Sequence, residues 1–440
     1  MYATPGLTAF VTVGAGPIRA MHTSANFGLF VVSGDSFYQV NANNAVVFLG
    51  GGIATGVPAY IIDNGPQLAV FAGDSGFSWS SGAGWAAIAV PFTAASPIAA
   101  TQQDGYGVIT QPGSSLFFQS DLLDFTSWNA LNFGDASADP DNLVAIVQLD
   151  RELWLIKNNH TEIWYNAGNL GLTFARLDGV YLEVGCVAQD SVRRLGSSLF
   201  WLARGVEGDG VVVQAAGHRA QRVSTHGLED IWRQYPKISD AIAYGYQQDG
   251  HEFYVLNFPS GNATWVYDAT TSAAAKTPMW HRRGALNPQT AGTFDRHFAN
   301  AHAVFGGMNL VGDYRDGSIY SLDFSAATDG GTQRKWLRTW RALEKPADQP
   351  VRFSELRIDM QTGIGVPDGG NPQVMLRWSD DGGHVWSNQM FAAAGRPGDT
   401  ARRVMFRRLG STRRNSGLDR IFELSGSDPF QTAIIGAVLE

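Results

Sequence analysis

The sequence predicts an all-β chain: a β-propeller of about seven blades over residues 1–340, followed by a small β-sandwich over 341–440. Three observations carry that expectation. Glycine is abundant, at 51 residues, while aromatic side chains make up 12% of the chain and charged ones only 16%; that balance favours many short strands and turns over long helices. One rhythm recurs along the chain: an apolar strand, a Gly/Asp/Asn turn, then a second strand with an aromatic or β-branched centre. The rhythm stops at "RALEKPADQPVR", 341–352, whose two prolines and mixed charge read as a linker.

The recurring unit appears in order as "LFVVSGDSFYQV", "LAVFAGDSGFSW", "YGVITQPGSSLFFQ", "LWLIKNNHTEIWYN", "FWLARGVEGDGVVVQ", "FYVLNFPSGNATWVYD" and "NLVGDYRDGSIYSLD". With Phe37, Phe77, Leu116, Ile163, Val212, Trp265 and Ile319 as markers, the steps run from 39 to 54 residues, room for a four-stranded antiparallel unit each time. Flanking runs such as "DAIAYGYQ" and "MWHRR" supply the inner and outer strands. Serial units of this kind pack radially as a propeller; a sandwich with regularly spaced hairpins is the alternative. The best helix candidate is "THGLEDIWRQY", 225–235, with Thr225 as its cap. Beyond the linker, "FSELRIDMQTG", "PQVMLRWSDD", "RRVMFRRLG", "RIFELSGS" and "TAIIGAVLE" read as strands of the sandwich.

Cys186 is the one cysteine, so no internal disulfide forms and a reducing cytoplasm suits folding. "MYATPGLTAF" lacks the basic start and apolar core of a signal peptide. The apolar stretches 45–62 and 85–100 are broken by glycine and proline, which predicts a soluble protein without stable membrane insertion. The net charge of −8 is unevenly spread. Residues 1–150 hold ten aspartates against Arg19 alone, a net of −9, whereas residues 331–440 hold 16 basic and 12 acidic side chains, a net of +4. An acidic first third repels phosphate and makes a poor nucleic-acid clamp.

"RWSDDGGHVWSN" contains Ser379, Asp381, Gly383 and Trp386 in the Asp-box spacing found in sialidases and other sugar-cleaving propellers. Each residue has a structural role in a hairpin: Asp381 accepts from turn amides, Gly383 permits positive φ, and Trp386 packs under the turn. A degenerate copy lies at Asp74, Gly76 and Trp79, with Ala72 in the Ser/Thr position. Sialidase chemistry also needs an arginine cluster, a tyrosine nucleophile and a partnered carboxylate, and residues 1–150 offer Arg19 alone. Metal patterns are equally thin. His297, His302 and Asp295 lack helical spacing, and Asp135, Asp139 and Asp141 lack the glycine and distal Glu of a calcium loop. "VGAGPIR" has no third glycine for dinucleotide phosphates, and "GDSGF" is not a nucleophile elbow. No catalytic constellation, cofactor site or metal site is expected. Eight arginines remain, Arg396, Arg402, Arg403, Arg407, Arg408, Arg413, Arg414 and Arg420, within 25 residues. Of these Arg402, Arg403, Arg407, Arg408, Arg413 and Arg414 form a candidate docking surface for an acidic subunit, with a solvated strand face and DNA contact as alternatives.

The chain resembles the tail hub or nozzle protein of short-tailed bacteriophages, also called the packaged-DNA stabilisation protein. The resemblance is carried by "EIWYNAGN" (162–169), "GHEFYVLNFP" (250–259), "TWVYD" (264–268), "LVGDYRDGSIYSLD" (310–323), "LRWSDDGGHVWSN" (376–388), "RRVMFRRLG" (402–410) and "IIGAVLE" (434–440). Residues 1–150 match in general character, around "PGLTAF" and "GAGPIR". The resemblance implies a homo-oligomeric ring, of hexameric order, below the portal and its adaptor protein. Such a ring prolongs the DNA channel and retains packaged double-stranded DNA until ejection. A tail needle or plug closes its far end and tail fibres or tailspikes attach at its side. The setting implied is the virion tail, assembled in the bacterial host cytoplasm, with no catalytic residues to carry over. The competing readings are a propeller that binds or hydrolyses glycans and a stand-alone propeller interaction module.

Overall fold

The computed structural model describes residues 4–93, 96–205, 208–287, 293–341, 351–366, 369–412, 420–430 and 432–440. They fall into two compact units, one of Ala9–Ala285 and Phe294–Ser321, the other of Met1–Thr8, Leu286–Thr293 and Leu322–Glu440.

Among the described residues, seven sheets, antiparallel but for one parallel pairing in the last, follow one another along the chain, each a propeller blade. Blade 1 is Ile18–Ser24, Gly28–Ser33, Ser36–Val40 and Val46–Gly51; blade 2 is Ala59–Asp63, Leu68–Ala72, Ser75–Ser80 and Gly84–Ile88. Blade 3 is Ala100–Gln103, Tyr106–Thr110, Leu116–Asp121 and Asp124–Asp135; blade 4 is Leu143–Leu149, Glu152–Lys157, Thr161–Asn166 and Phe174–Leu182. Blade 5 opens with two short strands, Val184–Cys186 and Arg193–Leu195, that share Ser198–Gly205 as partner, and continues with Gly208–Ala215 and Ala220–Arg222. Blade 6 is Ile242–Gln248, His251–Phe258, Ala263–Asp268 and Trp280–Leu286, with Phe294–Arg296 beyond. Blade 7 takes three strands, Ala299–Phe305, Met308–Asp313 and Ser318–Asp323, from the end of the propeller and its fourth, Gly6–Thr12, from the beginning of the chain. All seven marker residues lie on the third strand of their blades. The repeat in the sequence is therefore the repeat of the fold.

Neighbouring blades meet through their inner elements, and Ala299–Phe305 of blade 7 touches Ile18–Ser24 of blade 1, which closes the ring. The second strands read as unbroken apolar runs because both of their faces are covered by adjoining blades, as in any doubly buried strand. Leu68–Ala72 is buried at every position. Between blades 1 and 2, Phe30, Phe37, Leu68, Val70 and Trp79 form one core. There Trp85 stacks between Phe37 and Phe77, with ring centroids 5.2 and 5.0 Å away. Gly50 makes room for that ring, since a Cβ would lie 2.1 Å from Trp85 Cδ1.

The helix expected at 225–235 spans His226–Arg233. Thr225 holds the capping position, but its side chain makes no cap hydrogen bond. The buried Glu229 is satisfied instead by Arg222 Nε at 2.9 Å and Ser224 Oγ at 2.5 Å. A second helix, Ala269–Ala275, is capped by Asp268, whose side chain accepts from Thr271 N at 2.8 Å. Between blades 3 and 4 lies a buried ion pair. Lys157 Nζ sits 3.4 Å from Glu162 Oε1 and donates to the carbonyls of Ala136 and Asp139, both at 2.7 Å. Glu162 also accepts from Ala138 N at 3.1 Å. The connector between the blades is thus held by charge in the core.

The sandwich consists of two antiparallel sheets. One orders Trp336–Arg341, Ile421–Gly426, Gln373–Ser379 and Met390–Ala393; the other orders Val404–Ser411, Arg352–Met360 and Ile434–Leu439. Leu356, Ile358, Val374, Leu376, Val404, Phe406, Phe422 and Leu424 fill the core between them. Trp336–Arg341, which the sequence reading left on the propeller side of a 340/341 boundary, pairs along its whole length with Ile421–Gly426. Most of the linker, residues 342–350, lies outside the described residues.

Replacing Lys157 with Met strands a buried carboxylate, so the Lys157→Met chain should lose about 3–5 kcal/mol of stability. Lys157→Met/Glu162→Gln should recover part of it, the rest reflecting the carbonyls of Ala136 and Asp139 left without the Lys157 donor, as read by denaturant unfolding.

Candidate interaction surfaces

The Asp-box residues assemble into a self-contained turn between Gln373–Ser379 and Met390–Ala393. Ser379 Oγ donates to Asp381 Oδ1 at 2.7 Å and accepts from Gly383 N at 2.8 Å, while the same Asp381 oxygen accepts from Val385 N at 2.8 Å. The Val385 amide, then the Ser379 hydroxyl, holds the Asp381 carboxyl below the usual carboxylate range. Gly383, at φ +99°, takes a backbone conformation that side chains resist. Trp386 is half-buried, with the Arg377 guanidinium 4.5 Å from its ring centroid, and Arg377 is itself held by Glu423 at 2.7 and 2.9 Å. The Ser379 hydroxyl, one Asp381 oxygen and the Gly383 and Val385 amides are paired inside the turn. In the degenerate copy, Gly73 and Asp74 form a two-residue turn, and Gly76 admits the Phe71 ring, which a Cβ would meet at 2.4 Å.

The arginine cluster divides. Arg402 and Arg403, just before Val404–Ser411, and Arg407 and Arg408 within it are exposed. Val404 and Phe406 point into the core between them. Arg402 Nε reaches Ala393 O at 3.4 Å, and Arg407 pairs with Glu355 at 2.8 Å. Arg413 and Arg414 lie outside the described residues. Arg420 is not a surface group at all: its side chain is 2% exposed, held by Asp380 at 2.7 and 2.9 Å and packed near the rings of Phe353 and Trp378. Sequence reasoning missed this pair, although Asp380 sits inside the Asp-box spacing. Neither neighbouring charges nor local pattern tells which of several arginines turns inward.

In the propeller, the aspartates of residues 1–150 sit mainly in turns and connectors, and Asp63 alone lies on an inner strand. There His22 Nε2 of blade 1 is 3.3 Å from Asp63 Oδ2 of blade 2. Blade 5 reaches the inner strands Leu143–Leu149 of blade 4 and Ile242–Gln248 of blade 6. Its short turn Gln189–Ser191 is anchored by Tyr254, which donates to Ser191 O at 2.7 Å, and Arg193 pairs with Asp190. Burial first, then the charge of Asp190, pushes the Tyr60 hydroxyl of blade 2 well above its ordinary value. Asp190 also bears on Arg19 of blade 1.

The remaining sequence candidates are dispersed. His297 is buried, while His302 stacks on Tyr244 and contacts Asn309 at 2.9 Å. Burial raises the Cys186 thiol to about 12, which makes it an inert core group. Among the described residues, no three His, Cys, Asp or Glu side chains are placed to hold a metal ion, and no helix is long and apolar enough to cross a membrane.

Two family models match the chain: "Bacteriophage P22 Gp10, beta-propeller" over residues 1–327 and "Bacteriophage P22 Gp10, beta-sandwich" over residues 335–437. No curated protein sequence matches. Solved structures of similar shape include the extracellular domain of a putative hybrid two-component system from B. thetaiotaomicron, at 8% identity and TM-score 0.46, covering 88% of this chain and 44% of that one. A computationally designed protein matches at 10% identity and TM-score 0.42, covering 73% of this chain and all (100%) of its own. PorZ, a surface component of the type-IX secretion system of Porphyromonas gingivalis, matches at 10% identity and TM-score 0.41, covering 80% of this chain and 44% of its own. Likenesses this remote carry no functional argument.

Arg420→Ala leaves Asp380 without its partner and should cost about 3–5 kcal/mol, seen as loss of the sandwich transition in thermal unfolding. For Asp381 the sign follows from its lowered folded-state value. The turn's stabilisation is full above the ordinary aspartate range and is lost as pH falls through the lower value. Carboxyl NMR should place its titration below that of ordinary aspartates, and Asp381→Asn should abolish the dependence.

Proposed function

Because the chain belongs to the bacteriophage P22 Gp10 family, a family of phage tail nozzle and stabilisation proteins, we propose that it forms the ring-shaped nozzle of a short tail. In this reading several copies, six in the simplest case, assemble below the portal adaptor and extend the DNA channel. They retain packaged DNA and carry the needle or plug and the tail fibres or tailspikes. The coarser statement needs no proposal: the chain is a phage tail structural protein and so a virion component.

The observation that carries the reading is that the two family models match in order and together take in both domains. The Asp-box favours no glycosidase: its hydroxyl, carboxylate and amides are paired with one another, and a structural role is the simpler use of them.

The deciding experiment is to mix the purified protein with portal–adaptor particles of the same phage, then weigh and image the product. A ring of copies below the adaptor is the expected result. A chain that stays monomeric and off the particle overturns the reading, and screening for glycan binding then becomes the next measurement.

A further inference from the structure

We infer that the outer rim of blades 1–3 is a docking surface for the sandwich edge of a second copy of this chain. The inference rests on the ring reading above and names the two faces that build the ring. Its starting point is an omission. The last strand of a blade exposes unpaired backbone groups, and proteins normally protect such edges with charge. The outer strands of blades 1, 2 and 3 are Val46–Gly51, Gly84–Ile88 and Asp124–Asp135, and each touches its neighbour around the rim. They contain no Lys, Arg or Glu, and their only charges are the terminal Asp124 and Asp135.

The other blades supply the control. Outer strands of blades 4, 5 and 6 carry Arg176, Arg222 and Arg282. The outer strand of blade 7, Gly6–Thr12, is again uncharged, and its start is paired, Leu7 lying beside Asp329 of Thr328–Asp329. The side chains on the bare rim agree: Phe48 is 59% exposed and Leu131 80%, with Val47 and Phe133 also open to solvent. Large exposed apolar side chains gathered on touching outer strands mark an interaction site.

The charge around the strip selects the partner. Aspartates at Asp35, Asp74, Asp121 and Asp135 frame it, within a region of net charge −9. An apolar centre with an acidic rim fits an apolar centre with a basic rim, and the sandwich presents one. Phe391, 62% exposed, lies on the edge strand Met390–Ala393. Arg402 reaches the backbone of that strand at Ala393, and Arg403 and Arg408 are exposed nearby in sequence. The two faces are different parts of the chain. Their contact is therefore head-to-tail, the kind that propagates around a ring instead of ending at a dimer.

The test uses the full chain in two variants, Phe48→Lys/Leu131→Lys on the rim and Arg402→Glu/Arg403→Glu on the sandwich. Ala87→Lys serves as an independent rim variant at an exposed position, and thermal unfolding checks that each folds. Association is followed by sedimentation velocity in solution and on portal–adaptor particles. Each variant alone should associate more than tenfold more weakly than the parent. An equimolar mixture of the two should form a two-subunit complex, because one intact interface remains between them. If both variants assemble like the parent, or the mixture recovers nothing, the docking surface is wrong while the ring reading stands. If the parent chain itself never associates, in solution or on particles, the ring reading fails and takes this inference with it.

Discussion

Closure of the blade ring is the constraint on which the rest of the structure depends. Each blade buries both faces of its middle strands against its neighbours, so an open ring would leave two apolar sheet faces in water. The chain avoids this by completing blade 7 with Gly6–Thr12 and by packing Ala299–Phe305 against Ile18–Ser24. At the junction Val13 N donates to Gly317 O at 2.7 Å. Gly16, at φ +77°, lets the backbone lie against Asp316, where a Cβ would come within 2.0 Å of its carbonyl carbon. The motif "VGAGPIR", which superficially resembles a phosphate loop, is thus the seam of the propeller.

Closure also brings the inner elements together, where Arg193 pairs with Asp190 and Tyr254 of blade 6 holds the Gln189–Ser191 turn. Charge is divided by position. Turns and connectors of the first blades collect aspartates, outer strands of blades 4–6 collect arginines, and the outer strands of blades 1–3 carry almost no charge.

The Asp-box shows how a sequence pattern outlives a particular chemistry. Its Ser379 and Asp381 side chains accept from the amides of Asp381, Gly383 and Val385, and Trp386 leans on Arg377, which Glu423 fixes. What the spacing encodes is a way of bending a strand connection without leaving amides unpaired. A sugar-cleaving site needs further groups converging from several blades, and a local motif does not supply them.

The sequence by itself determined what repeats and what is local. Hairpin rhythm placed a marker on the third strand of every blade, because turns demand Gly, Asp and Asn and doubly buried strands demand continuous apolar runs. The change of pattern after residue 340 announced a second domain, and its strands alternate as sandwich strands must. Tertiary structure alone decided the rest. Thr225 holds the cap position without a side-chain hydrogen bond, and Glu229 takes Arg222 and Ser224 from a preceding strand and connector as partners. Trp336–Arg341 joined the sandwich because its partner, Ile421–Gly426, lies some eighty residues along the chain. Arg420 turned inward while Arg402, Arg403, Arg407 and Arg408 stayed out, because only Arg420 meets Asp380. In each case the deciding contact joins residues that the local pattern does not relate, and long-range pairing is set by the packed fold.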